Sequence, residues 1–220
     1  MTPSFFFDLT EFAHKALFPE ERPVWHALDL LSEYLLSCQL GKIEGEVMSE
    51  AHLVDPESIS IGKGSVVEAG AYIKGPCIIG ENCQIRHGAY LRGNVLTGNG
   101  CVIGHATEVK NAIFLDSAAA SHFAYVGDSI LGNGVNLGAG TKCANLRFDR
   151  GLVKVFFEGQ WLDTGRKKLG AVFGDQSQTG CNSVTNPGTF LVKETILPPN
   201  STRKGVIFPE STLAEVALWE

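Results

Sequence analysis

Three cations and three histidines recur along this 220-residue chain at regular intervals. Lys74, Arg92 and Lys110 are spaced by 18 residues. His87 and His105 are also 18 apart, and His122 follows 17 later. If the backbone returns to the same place every 18 residues, each set becomes a column. Stacked cations repel one another unless an anion lies among them. Phosphate is the natural anion, because Arg grips it in bidentate fashion. The alternative is a solvated basic stripe with its tips splayed into water. Stacked histidines can hold zinc or hydrogen-bond the backbone of turns. A histidine such as His122, in Ser121-His122-Phe123-Ala124-Tyr125-Val126-Gly127-Asp128, can also serve as a general base near neutral pH.

The elements that would build such columns are written in a six-residue repeat. Stepping by six from Ile61 gives Val67, Ile73, Ile79, Ile85, Leu91, Thr97, Ile103, Val109 and Leu115, all aliphatic but Thr97. The position two residues earlier is mostly small, as at Ser65, Ala71, Cys77, Cys83, Ala89 and Cys101. Side chains alternate in and out along a short strand. One large and one small inward residue per hexad fill a narrow triangular prism, with turns at its corners. Three hexads make a coil of 18 residues, and successive coils stack as parallel strands about 4.8 Å apart. Each coil buries its face only against its neighbours, so several are needed and the ends must be covered. The expected fold is therefore an all-β parallel helix.

Residues 1–50 differ and read as a helical N-terminal cap. Pro23 can start a helix over 23–38 whose apolar face is Val24, Ala27, Leu28, Leu31 and Leu35. A shorter helix is expected over 8–17. This region would cap the first coil or pack on a neighbouring subunit. The β-helix domain is expected over 51–208, with coils from about Ser58. The register shifts between Leu115 and Leu131, which are sixteen apart. Segment 146–167 breaks the period, carries two aromatic clusters and reads as a hairpin insertion. Coils resume at Ala171. Residues 209–220 form a C-terminal tail with a short helix.

Composition narrows the function. A net charge of −6 argues against nucleic acid as a partner, since phosphate backbones need a basic surface. No basic region precedes the N-terminal aromatic run, so no signal peptide is expected. No apolar stretch approaches the roughly 20 residues that span a bilayer. The six cysteines include no CxxC pair, which disfavours zinc ribbons and secreted disulfide frameworks. A reducing cytoplasm fits.

The stretches TEVKNA, from Thr107, and SHFAYVGDSILGNGVNLGAGTKCANLRFD, from Ser121, resemble the acetyltransferase domain of bifunctional N-acetylglucosamine-1-phosphate uridyltransferase/glucosamine-1-phosphate acetyltransferases. TGRKKLGAVFGDQSQTGCN, from Thr164, is similar to archaeal sugar-1-phosphate nucleotidylyltransferase relatives. The resemblance covers about residues 58–190, and the combination of EVKNA, HxxYxGD and NxGAGT is specific. It implies a left-handed β-helix, a homotrimer, acetyl-CoA as cosubstrate and a place in UDP-N-acetylglucosamine biosynthesis, with no metal required. His122 matches the catalytic base. Arg92, Lys110 and Tyr125 match residues that hold the sugar phosphate. Asn136 and Asn145 match sugar contacts, and Glu108 matches a carboxylate near the substrate amine. Ala139 matches the backbone N–H donor to the thioester carbonyl. Lys154, Arg166 and Lys168 are candidates for the phosphates of coenzyme A. No glycine-rich nucleotide loop precedes the repeats, so uridyl transfer is not expected. Leu146-Arg147-Phe148-Asp149 follows the archaeal branch, which leaves galactosamine 1-phosphate or another amino sugar open as acceptor. The non-enzymatic alternative is a trimeric sugar-phosphate-binding scaffold, and a zinc hydratase is a third reading.

Overall fold

The computed structural model describes residues 1–212. Three eight-stranded parallel sheets wind about one core. The chain visits face A (Ile59–Ile61, Cys77–Ile79, Val95–Thr97, Ala112–Phe114), face B (Val66–Val67, Gln84–Ile85, Val102–His105, Ala119–His122) and face C (Tyr72–Lys74, Tyr90–Leu91, Glu108–Lys110, Tyr125–Gly127) in turn. This is the parallel β-helix expected from the hexads, of the left-handed class that the resemblance implies. The prism is filled by Ile61, Ile73, Ile79, Ile85, Leu91 and Ile103 with small partners such as Ala71, Cys77, Cys83 and Cys101. Coils begin before the expected start, since Glu46–Val47 already pairs with Val66–Val67.

The register shift comes in two steps, one before Leu115 and one inside the expected interval between Leu115 and Leu131. Leu91 pairs with Val109, 18 residues on, but Val109 pairs with Val126 and Val126 with Cys143, each 17 on. Both deletions fall at the corner from face C to face A. There the buried residues step by three, from Val109 to Ala112 and from Val126 to Ser129. At the corner from B to C the step stays at four, as from Ile103 to Thr107 and from Ala120 to Ala124. One consequence is that Phe114, rather than Leu115, takes the inward slot between Thr97 and Leu131. Leu115 turns into a second apolar cluster outside the prism.

That second cluster explains the N-terminal segment. Strands of face A are buried on both sides, because Leu96, Ile113, Ile130, Val172 and Phe190 point outward and are apolar. Sheets covered on both faces read as continuous apolar runs. Phe6, Phe7, Phe12, Leu17, Leu28, Leu31 and Leu35 lie over them. The segment therefore straps one flank of its own coil instead of plugging the first coil. The expected helix over 23–38 is a 3₁₀ turn, Val24–His26, followed by an α-helix, Ala27–Ser37. No α-helix forms over 8–17, where a 3₁₀ turn spans only Lys15–Leu17. The backbone there is bound elsewhere: Phe6 C=O accepts from Asp175 N–H, Asp8 N–H donates to the Asp175 carboxylate at 2.6 Å, and Asp8 C=O accepts from Asn133 Nδ2.

The hairpin Lys154–Phe157/Gln160–Asp163 is antiparallel and leaves the coil through the C-to-A corner. Pro209–Ser211 makes one 3₁₀ turn, and the remainder of the tail expected to be helical lies outside the described residues. Among the described residues, no helix is long and apolar enough to cross a membrane.

Phe114 fills the prism where the short corner tightens it. Phe114→Ala should cost about 3–5 kcal/mol, read as a lower urea midpoint with unchanged slope. A loss below about 1 kcal/mol would mean that Phe114 does not occupy the inward slot.

Candidate functional site

Face C and its corner with face A carry most of the chemistry. Two outward columns stand on that face. Tyr72, Tyr90, Glu108, Tyr125 and Lys142 are register partners in one. Lys74 and Arg92 follow the paired Ile73 and Leu91, and Lys110 pairs with Gly127, which ends the second. A side chain at Gly127 would collide with what lies over it: an added Cβ would sit 2.6 Å from Tyr125 Oη and 2.8 Å from Asn145 Nδ2. The column of cations stops where the tyrosine and the amide need the space.

The cations are not bare. Arg92 Nη1 donates to Glu108 Oε1 at 2.7 Å. Lys110 Nζ donates to Asp128 Oδ2 at 3.4 Å. Asp128 is 4% exposed and adopts a left-handed backbone at φ 50, which Asx residues tolerate. Its carboxylate also accepts from Asn111 Nδ2 at 2.8 Å and Asn145 Nδ2 at 2.6 Å, with Arg166 Nη2 at 3.8 Å. Asn145 donates in turn to Tyr125 Oη at 3.2 Å. Burial, then the carboxylates of Glu108 and Asp128, raise the Tyr125 phenol above its ordinary value, so it stays protonated.

The sequence expectations divide on this map. Arg92, Glu108, Lys110, Tyr125 and Asn145 form one linked group through Asp128 and shared register. His122 is exposed at the opposite edge, where face B turns into face C, three residues before Tyr125. Its carbonyl accepts from Gly140 N–H at 2.9 Å, which puts Ala139 at the same corner one coil on. Asn136 lies apart, exposed on face B between Ala119 and Gln178. Lys154 is on the hairpin, 3.9 Å from Asp163. Lys168 is exposed beside Leu146. Arg166 is not a free cation: its guanidinium binds Asp29 of the N-terminal helix and faces Asp128. It ties the strap, the hairpin and the corner together.

The other two histidines behave as turn residues. His87 and His105 stack at 5.8 Å and 13°. His87 Nδ1 donates to Ala69 C=O at 2.6 Å, and His105 Nδ1 to His87 C=O at 3.1 Å. Among the described residues, no three His, Cys, Asp or Glu side chains cluster as a metal site.

Two cavities flank this region. One of about 430 Å³ lies at the C-to-A corner, between Lys74, Arg92, Asn94, Lys110, Asn111 and Asp128. Another of about 460 Å³ lies at the foot of the hairpin, between Leu146, Phe148, Lys154, Asn186 and Lys204. Asp128 and Asn111 were not singled out from sequence. Both nevertheless stand inside the HxxYxGD and EVKNA motifs.

Asp128 joins three hydrogen-bond donors and one guanidinium from three segments, so its loss should be felt in the fold. Asp128→Ala should cost about 3–5 kcal/mol, the usual penalty for orphaning a buried charge partner. Denaturant unfolding reads it, and a cost below about 1 kcal/mol would remove Asp128 as the organiser of the corner.

Comparison with known proteins agrees with this architecture. A family model described as the GMPPB C-terminal domain matches residues 73–210. A bifunctional sugar-1-phosphate nucleotidylyltransferase/acetyltransferase from Sulfurisphaera tokodaii is 36% identical over 171 residues, covering 76% of this chain and 41% of that protein. The chain thus spans less than half the length of that relative. An uncharacterized acetyltransferase, YaiX, from Escherichia coli is 31% identical over 190 residues, covering 82% of this chain and 83% of that one. With the family model spanning more than half of its residues, the chain belongs to the GMPPB C-terminal domain family, and over most of its length it is similar to an acetyltransferase.

Proposed function

We propose that this chain is an acetyl-CoA-dependent N-acetyltransferase for an amino-sugar 1-phosphate of the glucosamine 1-phosphate type. One observation carries the reading. A potential base, His122, and a cationic corner stand at the two edges of one narrow face, with Tyr125, Glu108 and Arg92 between them. That face is about 10 Å across, at roughly 3.3 Å per residue, a span that one sugar phosphate bridges.

The chemistry follows from this arrangement. The acceptor phosphate binds at Arg92 and Lys110. Tyr125 and Asn145 orient the sugar, and Glu108 holds the amine. His122 removes a proton from the amine as its nitrogen attacks the thioester carbonyl of acetyl-CoA. The carbon–sulfur bond breaks, and coenzyme A leaves as the thiol after taking up a proton. Ala139 N–H, which has no hydrogen-bond partner among the described residues, is the donor assigned to the carbonyl oxygen as charge develops on it. Alignment of amine and thioester supplies most of the rate, and the base adds to it. Lys154 and Lys168 are the remaining candidates for the phosphates of coenzyme A. The active unit is read as a homotrimer, because His122, Phe123 and Phe148 are exposed on the single chain and leave the site open on one side.

A phosphate-binding scaffold without turnover is the second reading. It is favoured by the lack of any side-chain hydrogen bond to His122 among the described residues, which leaves its ring without an orienting partner.

A thiol-release assay with acetyl-CoA and glucosamine 1-phosphate or galactosamine 1-phosphate should show turnover. His122→Ala should lower it by about 10²–10⁴-fold while the protein stays folded. Sugar-phosphate binding by calorimetry without thiol release would establish the scaffold instead.

A further inference from the structure

We propose that Arg166 is a positioning residue for the acceptor phosphate. It shares the charge of Asp128, so that Lys110 stays available to the anion, and Asp29 of the N-terminal strap sets how much of that guanidinium Asp128 receives. The proposal rests on the reading of the corner between faces C and A as the phosphate end of the acceptor site.

The Asp128 carboxylate has two oxygens, and each meets one amide and one cation. Oδ2 accepts from Asn145 Nδ2 at 2.6 Å and from Lys110 Nζ at 3.4 Å. Oδ1 accepts from Asn111 Nδ2 at 2.8 Å and lies 3.8 Å from Arg166 Nη2. Asp128 is buried, so these neighbours compensate its charge in place of water. Were Lys110 the only cation there, a phosphate would have to draw it away from a buried carboxylate. The 3.4 Å separation is already long for a charge-assisted hydrogen bond, which favours about 2.7–2.9 Å. Lys110 lines the cavity of about 430 Å³ together with Arg92 and Asp128, whereas Arg166 is not part of its wall. Arg166 therefore reaches the anion site only through Asp128.

Arg166 is itself held in place. Its carbonyl accepts from Val153 N–H at 2.8 Å, and its Nε donates to Lys168 C=O at 3.2 Å. The two terminal nitrogens remain as a fork: Nη1 donates to Asp29 Oδ1, and Nη2 faces Asp128. One positive charge thus stands between two carboxylates in a rigid geometry that a lysine could not reproduce. The two carboxylates differ in burial. Asp29 is half-exposed and also lies 3.3 Å from His26 Nδ1, so water screens its hold on the guanidinium. Removing the Asp29 charge gives Asp128 more of the guanidinium and makes the corner more positive. Removing the guanidinium returns Asp128 to Lys110 alone. Two substitutions in one chain of ion pairs therefore act in opposite directions on the anion, which a merely structural tie between strap and coil would not do.

Titration calorimetry on the full chain tests this with glucosamine 1-phosphate and galactosamine 1-phosphate as probes. Arg166→Gln should weaken binding about fivefold, the size of one partly screened charge pair, and Asp29→Asn should tighten it about twofold. Asp29→Asn should have no effect in the Arg166→Gln background, because its route to the corner is then gone. Glu33→Gln removes an exposed acid of the same helix that has no ion pair among the described residues, and it should bind as wild type does. Where acetyl transfer is followed, the changes should fall on the acceptor KM and leave kcat in place. Weaker binding in both single variants would make Arg166 a structural tie and overturn the proposal. So would additive effects in the double variant, or tightening of equal size in Glu33→Gln. If Arg166→Gln does not fold, the contrast between Asp29→Asn and Glu33→Gln decides. Binding that none of the variants alters overturns this proposal alone, whereas no binding of either sugar phosphate by the wild type overturns the acceptor reading and this proposal with it.

Discussion

Parallel stacking at about 4.8 Å per rung is the constraint on which everything else here depends. In a coil of fixed register, residues one turn apart in sequence become neighbours in space. Single residues thereby become columns, and a column of like charges or like rings is stable only when something sits between or beside its members. Arg92 takes Glu108, Lys110 takes Asp128, and the imidazoles of His87 and His105 lie against backbone carbonyls. Most of the polar detail on the surface is an answer to repetition.

The regular coil leaves little room for a site, because uniform corners present uniform surfaces. The irregularity is confined to one corner. Two coils in succession drop a residue there, and the next sends out the hairpin. At the shortened corners Asn111 and Asp128 take left-handed conformations, and Asp128 turns inward among its four partners. Gly127 then has to be glycine, since Tyr125 and Asn145 meet over it. The deletions, the motif residues and the hydrogen-bond group are one structural event.

Much of this was legible beforehand. The hexads declare the prism, the 18-residue spacing declares the cation column, and the motif resemblance picks out Arg92, Glu108, Lys110, Tyr125 and Asn145, which the fold gathers. What escaped was local. The leucine spacing placed the whole shift after Leu115, where only the second deletion lies, because a one-residue deletion at a corner moves the phase without disturbing the hexads before it. Arg166 read as a free cation, because its partner Asp29 is 137 residues away in sequence and only the docked strap reveals it. The strap's position was also hidden. Its cause was in plain sight, however: the middle residues of face A, Leu96, Ile113, Ile130, Val172 and Phe190, are apolar where a solvated face would be polar.

That apolar outer face bears on the site as well. A three-sided prism has three outer surfaces, and one must be given up if its residues are hydrophobic. Here the chain's own first forty residues cover face A, which leaves faces B and C to meet solvent, substrate or another subunit. The strap is not independent of the chemistry, because Asp29 at the start of its helix holds Arg166, and Arg166 faces the carboxylate that orients Lys110 and Asn145. The N-terminal segment is therefore linked to the cationic corner through one guanidinium shared by two carboxylates.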